Sequence, residues 1–144
     1  MNRVDKAKKY FQLHYNCAQS VLLAFAPDYE LPKAKASKIA QAFGGGLARQ
    51  GEICGAVTGA LMVIGLKYGK IKPEEEEARE KTYSLAQKFF SFFKEKHGAL
   101  SCRQLLGIDL SQPGGYELAS SQGLFMSVCP SLIASAVTIL EEIL

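Results

Sequence analysis

The sequence predicts an all-α protein: a single domain over residues 1–144, folded as one compact helical bundle of about six to seven helices. Three observations point there. Apolar residues recur at three- and four-residue spacing along most of the chain. No stretch alternates convincingly between apolar and polar residues, and no Asn-Gly or Asp-Gly pair offers a tight hairpin. Glycines and prolines fall between the periodic stretches, where helices have to stop.

Each element follows from local signals. Ala7, Tyr10, Phe11 and His14 share one face of a first helix over residues 5–14. Asn16 is placed to cap a second, from Cys17 to about residue 26, which Pro27 and Asp28 end. Lys33, Lys35 and Lys38 alternate with Ala34, Ala36, Ile39 and Phe43 in a third, stopped by Gly44, Gly45 and Gly46. A fourth, over about residues 53–67, is apolar nearly all round and so belongs at the centre. Pro73 is expected to open the fifth and longest, with Glu74 to Glu77 at its positive end, Lys94 and Lys96 at its negative end, and Gly98 as its stop. A short helix follows over residues 101–106. Residues 107–122, rich in Gly, Pro, Ser and Gln, read as a long loop, and a last helix runs over about 129–143.

Composition narrows the function. Hydrophobic residues make up 48% and charged residues 22%, enough core to fold without disulfides or metal. A ligand on the cysteines would therefore serve function more than folding. The net charge is +3, and the 17 basic residues are scattered along helix faces, so nucleic acid is not expected as a partner. The first nine residues lack the apolar stretch of a secretory signal. The apolar runs at 53–66 and 128–140 fall short of the ~20 residues that span a bilayer. We therefore expect no membrane span and a cytoplasmic location, where thiols stay reduced. No Ser-His-Asp or paired-carboxylate constellation supports hydrolysis.

The chemistry lies in Cys17, Cys54, Cys102 and Cys129, separated by 37, 48 and 27 residues. No Cys-x-x-Cys pair exists, so neither a zinc ribbon nor a thioredoxin motif is present. Spacing alone would suit four small buried hydrophobes. Position argues otherwise, because all four fall in the first turn of a predicted helix. Unpaired N–H groups and the positive dipole end stabilise a thiolate there, the form that binds metal or attacks disulfides. The four sulfurs are accordingly expected close together. Cys54 is expected to have the lowest thiol pKa, since Gly55 and Gly59 leave it most open. Those two glycines, four apart, form a bare stripe where another helix can approach.

With these residues in view, the chain resembles the redox-active protein family catalogued by the cysteine pattern C-GCAxxG-C-C. The resemblance rests on Cys17 in Asn16-Cys17-Ala18-Gln19, the Cys-Gly-Ala-x-x-Gly element at Cys54 to Gly59, then Cys102, then Cys129-Pro130. It covers nearly the whole chain. It implies a bacterial or archaeal protein with a redox role, often encoded near transporter genes, and no particular reaction.

Three functions compete. The first is a four-cysteine centre, with all four cysteines as both reactive groups and metal ligands, that moves electrons through iron or an iron–sulfur cluster, with zinc ranked behind them. Gly55, Gly59 and Arg49 would border that cofactor, and Arg49 could lower thiol pKa values or hold an anionic substrate. The second is a metal-free dithiol–disulfide protein, for which sequence leaves all three pairings open. The third is a helical interaction domain with inert cysteines. A redox partner, protein or small molecule, is implied by the first two, and a homo-oligomer is compatible with all three. His14 and His97 read as surface or capping residues.

Overall fold

The computed structural model describes all residues, 1–144. Eight helices of five residues or more form the bundle: α1 (Arg3–Gln12), α2 (Cys17–Phe25), α3 (Lys33–Ala40), α4 (Gly55–Tyr68), α5 (Glu76–His97), α6 (Cys102–Leu106), α7 (Gly115–Ser121) and α8 (Cys129–Ile143). The all-α expectation holds. A single antiparallel bridge, Ile53 with Ser101, is the one trace of β pairing.

The helix starts follow their caps. Asn2 accepts a hydrogen bond from the Asp5 N–H at 2.8 Å, which begins α1 at Arg3, earlier than its apolar stripe alone suggests. Asn16 accepts from the Gln19 N–H, and the Gln19 side chain accepts from the Asn16 N–H, each at 2.9 Å. This reciprocal capping box starts α2 at Cys17. At the other end of α1, the His14 N–H donates to the Phe11 carbonyl and the Tyr15 N–H to the Tyr10 carbonyl. These two bonds make a Schellman close, with His14 at φ 75° where glycine is usual.

Two boundaries differ from the sequence reading. Helix α5 begins at Glu76, because Pro73 sits in a preceding turn where the Lys72 N–H donates to the Glu75 carboxylate at 2.8 Å. Residues 107–122 are not all loop, since α7 lies inside them and raises the helix number above six to seven. Its glycine is a packing residue: a Cβ on Gly115 would stand 2.2 Å from the Asp109 carbonyl oxygen. Composition mistook a close contact for a turn.

Helices α2, α4 and α8 build the main core with Phe89 and Phe93 of α5. A small second core gathers Cys102, Leu106, Leu110, Ala119 and Cys129. The last apolar stretch is longer than expected, because the helical turn Leu124–Ser127 runs into α8. The resulting 20 residues are long and apolar enough to cross a membrane by length and composition alone. Leu132, Ile133, Ala136, Val137 and Leu140 of that stretch are buried in the bundle, as in a core helix.

Candidate functional site

The two cores meet at the cysteines. Cys54 belongs to the main core, Cys102 and Cys129 to the small one, and Cys17 packs against both. All four line one cavity of about 820 Å³. Three stand at a helix start, as predicted: Cys17 and Cys102 are first residues and Cys54 is the cap of α4. Cys129 does not, because the turn Leu124–Ser127 and the helical Val128 run straight into it and occupy its free helix end. No disulfide joins any of them.

Three local devices bring them together across the chain. The first is the glycine stripe. A Cβ on Gly59 would stand 2.7 Å from the Ala18 carbonyl oxygen, and one on Gly55 would stand 3.0 Å from the Ala18 nitrogen and 3.1 Å from the Cys17 Cβ. Only bare backbone lets α4 lie on α2 this closely, which sets Cys54 beside Cys17. Gly55 also lines the cavity; Gly59 does not, and serves the helix contact.

The second device is the bridge at Ile53. The Cys54 N–H donates to the Leu100 carbonyl at 2.8 Å and the Cys102 N–H to the Glu52 carbonyl at 2.6 Å. Arg103 reinforces this with Nε donating to the Gly51 carbonyl at 3.0 Å and an ion pair to Glu52 at 2.5 Å. The third is the Asn16–Gln19 cap. The Gln19 amide donates to the Ser37 carbonyl at 2.9 Å and to the Gln41 side chain at 3.1 Å, and Asn16 Nδ2 donates to the Gln41 carbonyl at 3.0 Å. Helix α2 is thus pinned to the end of α3 at the residue that carries Cys17.

The thiols differ sharply in character. Sharing of the Cys17 proton with the neighbouring Cys129 sulfur lowers the Cys129 pKa against the opposing effect of burial. The same sharing and burial raise Cys17 well above the ordinary thiol value, with Cys129, Cys54 and Cys102 adding like-charge repulsion. The pair shares one proton. Burial pushes Cys54 to about 12, although the Ala56 and Val57 N–H groups at the start of α4 oppose it. Burial also pushes Cys102 to about 12, with Cys54, Cys129 and Asp109 adding to it. The expectation for Cys54 is therefore reversed: desolvation outweighs the helix N-terminus, and Cys129 is the one cysteine whose pKa is lowered.

Arg49 touches none of the thiols electrostatically. It stands at the end of an unusual turn in which Gly45, Gly46, Leu47, Ala48 and Arg49 all have φ between 51° and 68°. Gly46 is required there twice over, for its φ of 68° and because a Cβ would lie 2.6 Å from the Cys102 Cβ. The turn places the Arg49 guanidinium 3.6 Å from the ring centroid of Tyr116, and both residues line the cavity. His14 lines it too, while His97 lies at the end of α5 against Phe93, with ring centroids 4.8 Å apart. Sequence reading missed Tyr116, for which no periodic signal exists. It also passed over Gln19, whose capping-box spacing from Asn16 was readable.

Iron, an iron–sulfur cluster or zinc would need sulfurs converging on one point. No group of three or more His, Cys, Asp or Glu side chains is placed to hold a metal ion. The cavity thus offers four thiols without a formed ligand set. No curated protein and no solved structure matches the chain. One family model does, over residues 15–143 and therefore over all four cysteines and both glycines of the stripe. The chain belongs to the family described as "Putative redox-active protein (C_GCAxxG_C_C)".

Proposed function

We propose that this protein is a thiol–disulfide redox protein whose working pair is Cys17 and Cys129. What supports the reading is the approach of these two sulfurs in one cavity, where the Cys17 thiol lowers the Cys129 pKa and is itself raised. Cys129 attacks one sulfur of an incoming disulfide, so a new S–S bond forms at Cys129 and the other sulfur leaves as a thiolate. Cys17 then gives up its proton and attacks the Cys129 sulfur, which closes the Cys17–Cys129 disulfide and expels the second thiolate. Two protein thiols are oxidised and one disulfide is reduced to two thiols. Cys54 and Cys102, held protonated by burial, keep further negative charge away from the pair.

A second reading is an electron-transfer centre of iron or an iron–sulfur cluster, or of zinc, on the same four cysteines. What favours it is their common cavity and the fitness of four thiolates for those groups. It requires the sulfurs to draw closer than they stand, and Gly55 would border the group.

The experiment is limited oxidation of the fully reduced protein by a small disulfide, with the bonds mapped by mass spectrometry. A Cys17–Cys129 disulfide is expected, and Cys17→Ser should trap the oxidant on Cys129. Any other pairing would overturn the assignment of the pair. Four thiols inert until unfolding would favour the interaction-domain reading. Stoichiometric iron and visible absorption after anaerobic purification would favour the second.

A further inference from the structure

We propose that the cavity beside the cysteines receives a low-molecular-weight disulfide bearing a carboxylate, with its anionic end on Arg49 and its sulfurs toward Cys129. The inference rests on the thiol–disulfide reading and names the substrate class for it.

Size comes first. A cavity of about 820 Å³ lies within the range of small-molecule sites, roughly 300–1,000 Å³. Charge comes second. No Asp or Glu lines it, and Arg49 and His14 are the basic residues that do. Nothing in the wall repels an anion apart from the thiolate that must react.

Arg49 itself is the third observation. The chain has four arginines, and Arg3, Arg79 and Arg103 each pair with a carboxylate of the protein. Arg49 pairs with none. Its guanidinium stands over the Tyr116 ring instead and makes no hydrogen bond to the protein, which leaves its N–H groups free for a carboxylate. It is held there at φ 64°, a left-handed conformation that costs a non-glycine residue about 1–2 kcal/mol. Strain of this kind persists where surrounding structure enforces it, commonly at ligand sites. Phe11, Leu105, Leu106, Leu110, Phe125 and Leu132 supply an apolar wall for the carbon skeleton. The atoms balance as above: one substrate disulfide becomes two substrate thiols, and Cys17 and Cys129 become a disulfide.

The test uses three symmetric disulfides of similar length: dithiodipropionate, which is dianionic; bis(2-hydroxyethyl) disulfide, which is neutral; and cystamine, which is dicationic. The rate of Cys17–Cys129 closure is measured with each and divided by that compound's rate with dithiothreitol under the same conditions. The dianion should lead the dication by roughly tenfold at low salt. That lead should shrink with added salt in the unmodified protein. It should collapse in Arg49→Gln and survive in part in Arg49→Lys. Equal rates, a cationic preference, or a lead untouched by both salt and Arg49→Gln would overturn the proposal while leaving the thiol–disulfide reading standing. Failure of all three compounds to close the disulfide would overturn both.

Discussion

The Ala18 carbonyl oxygen occupies a point 2.7 Å from where Gly59 would carry a Cβ, so helix α4 rests on α2 through bare backbone. The obstacle is main chain, which cannot swing aside as a flexible side chain would. Gly59→Ala should therefore destabilise the fold by about 1–3 kcal/mol, although alanine is the better helix former. Gly65 on the same helix has nothing within 4 Å of its Cβ position. Gly65→Ala should stabilise by up to about 1 kcal/mol. Urea unfolding of the two variants checks the opposite signs, and equal effects would remove the close contact from the account.

The thiol order is open to measurement through alkylation at graded pH, with the modified residues identified by mass spectrometry. Cys129 should react first and at a pH below that of an ordinary thiol, because Cys17 shares its proton with that sulfur. Cys54 and Cys102 should stay protected until pH approaches about 12 or the fold opens. Cys17→Ala removes the shared proton, so Cys129 reactivity should move to higher pH. Early modification of Cys54 would show the start of α4 outweighing burial.

The helices, their caps and the gathering of the cysteines were legible because each has a local cause. Asn16 acts within a few residues of where it stands, and the Gly55–Gly59 stripe announces itself by its four-residue spacing although its contact, Ala18, is distant in sequence. What escaped the sequence depends on long-range placement. Cys54 and Cys102 are aligned by the Ile53–Ser101 bridge, one pair with no strand around it, so no alternation announces it. Burial of Cys54 is set by the bundle as a whole, while its helix N-terminus is visible locally, so the local cause was overweighted. Helix α7 was hidden by Gly114 and Gly115, where glycine serves a left-handed cap and a close backbone contact.

The left-handed turn makes a separate claim about stability. Ala48 is exposed, with φ 51° and ψ 45°, in a region that L-residues occupy at a cost of about 1–2 kcal/mol. Glycine there loses the strain but adds about 0.5–1 kcal/mol of unfolded-state entropy. Ala48→Gly should thus raise stability by up to about 1 kcal/mol, read from thermal unfolding. A loss would mean that the surrounding bonds, such as the Glu52 N–H to the Gly46 carbonyl at 2.9 Å, already favour the turn with a side chain present.

His97 predicts how the fold responds to mild acid. Burial lowers its pKa from the ordinary 6.5, and the neighbouring Lys96 charge acts in the same direction. Its Nε2 is buried without a hydrogen-bond partner beside Phe93. The end of α5 would favour a cation there, and burial outweighs it. The folded state therefore holds the neutral ring, while the unfolded chain binds a proton more readily. Stability is full above about pH 6.5 and falls as pH drops through that value toward the lower folded pKa. Asp109 has its pKa lowered by hydrogen bonds from Ser111, so its contribution is lost only in stronger acid, below the ordinary carboxyl value of 3.8. The two windows are separable. Urea unfolding at stepped pH should show a decline beginning near 6.5, and His97→Phe, which keeps an aromatic ring against Phe93, should flatten that part of the profile. A decline unchanged in the variant would assign the acid response to other groups.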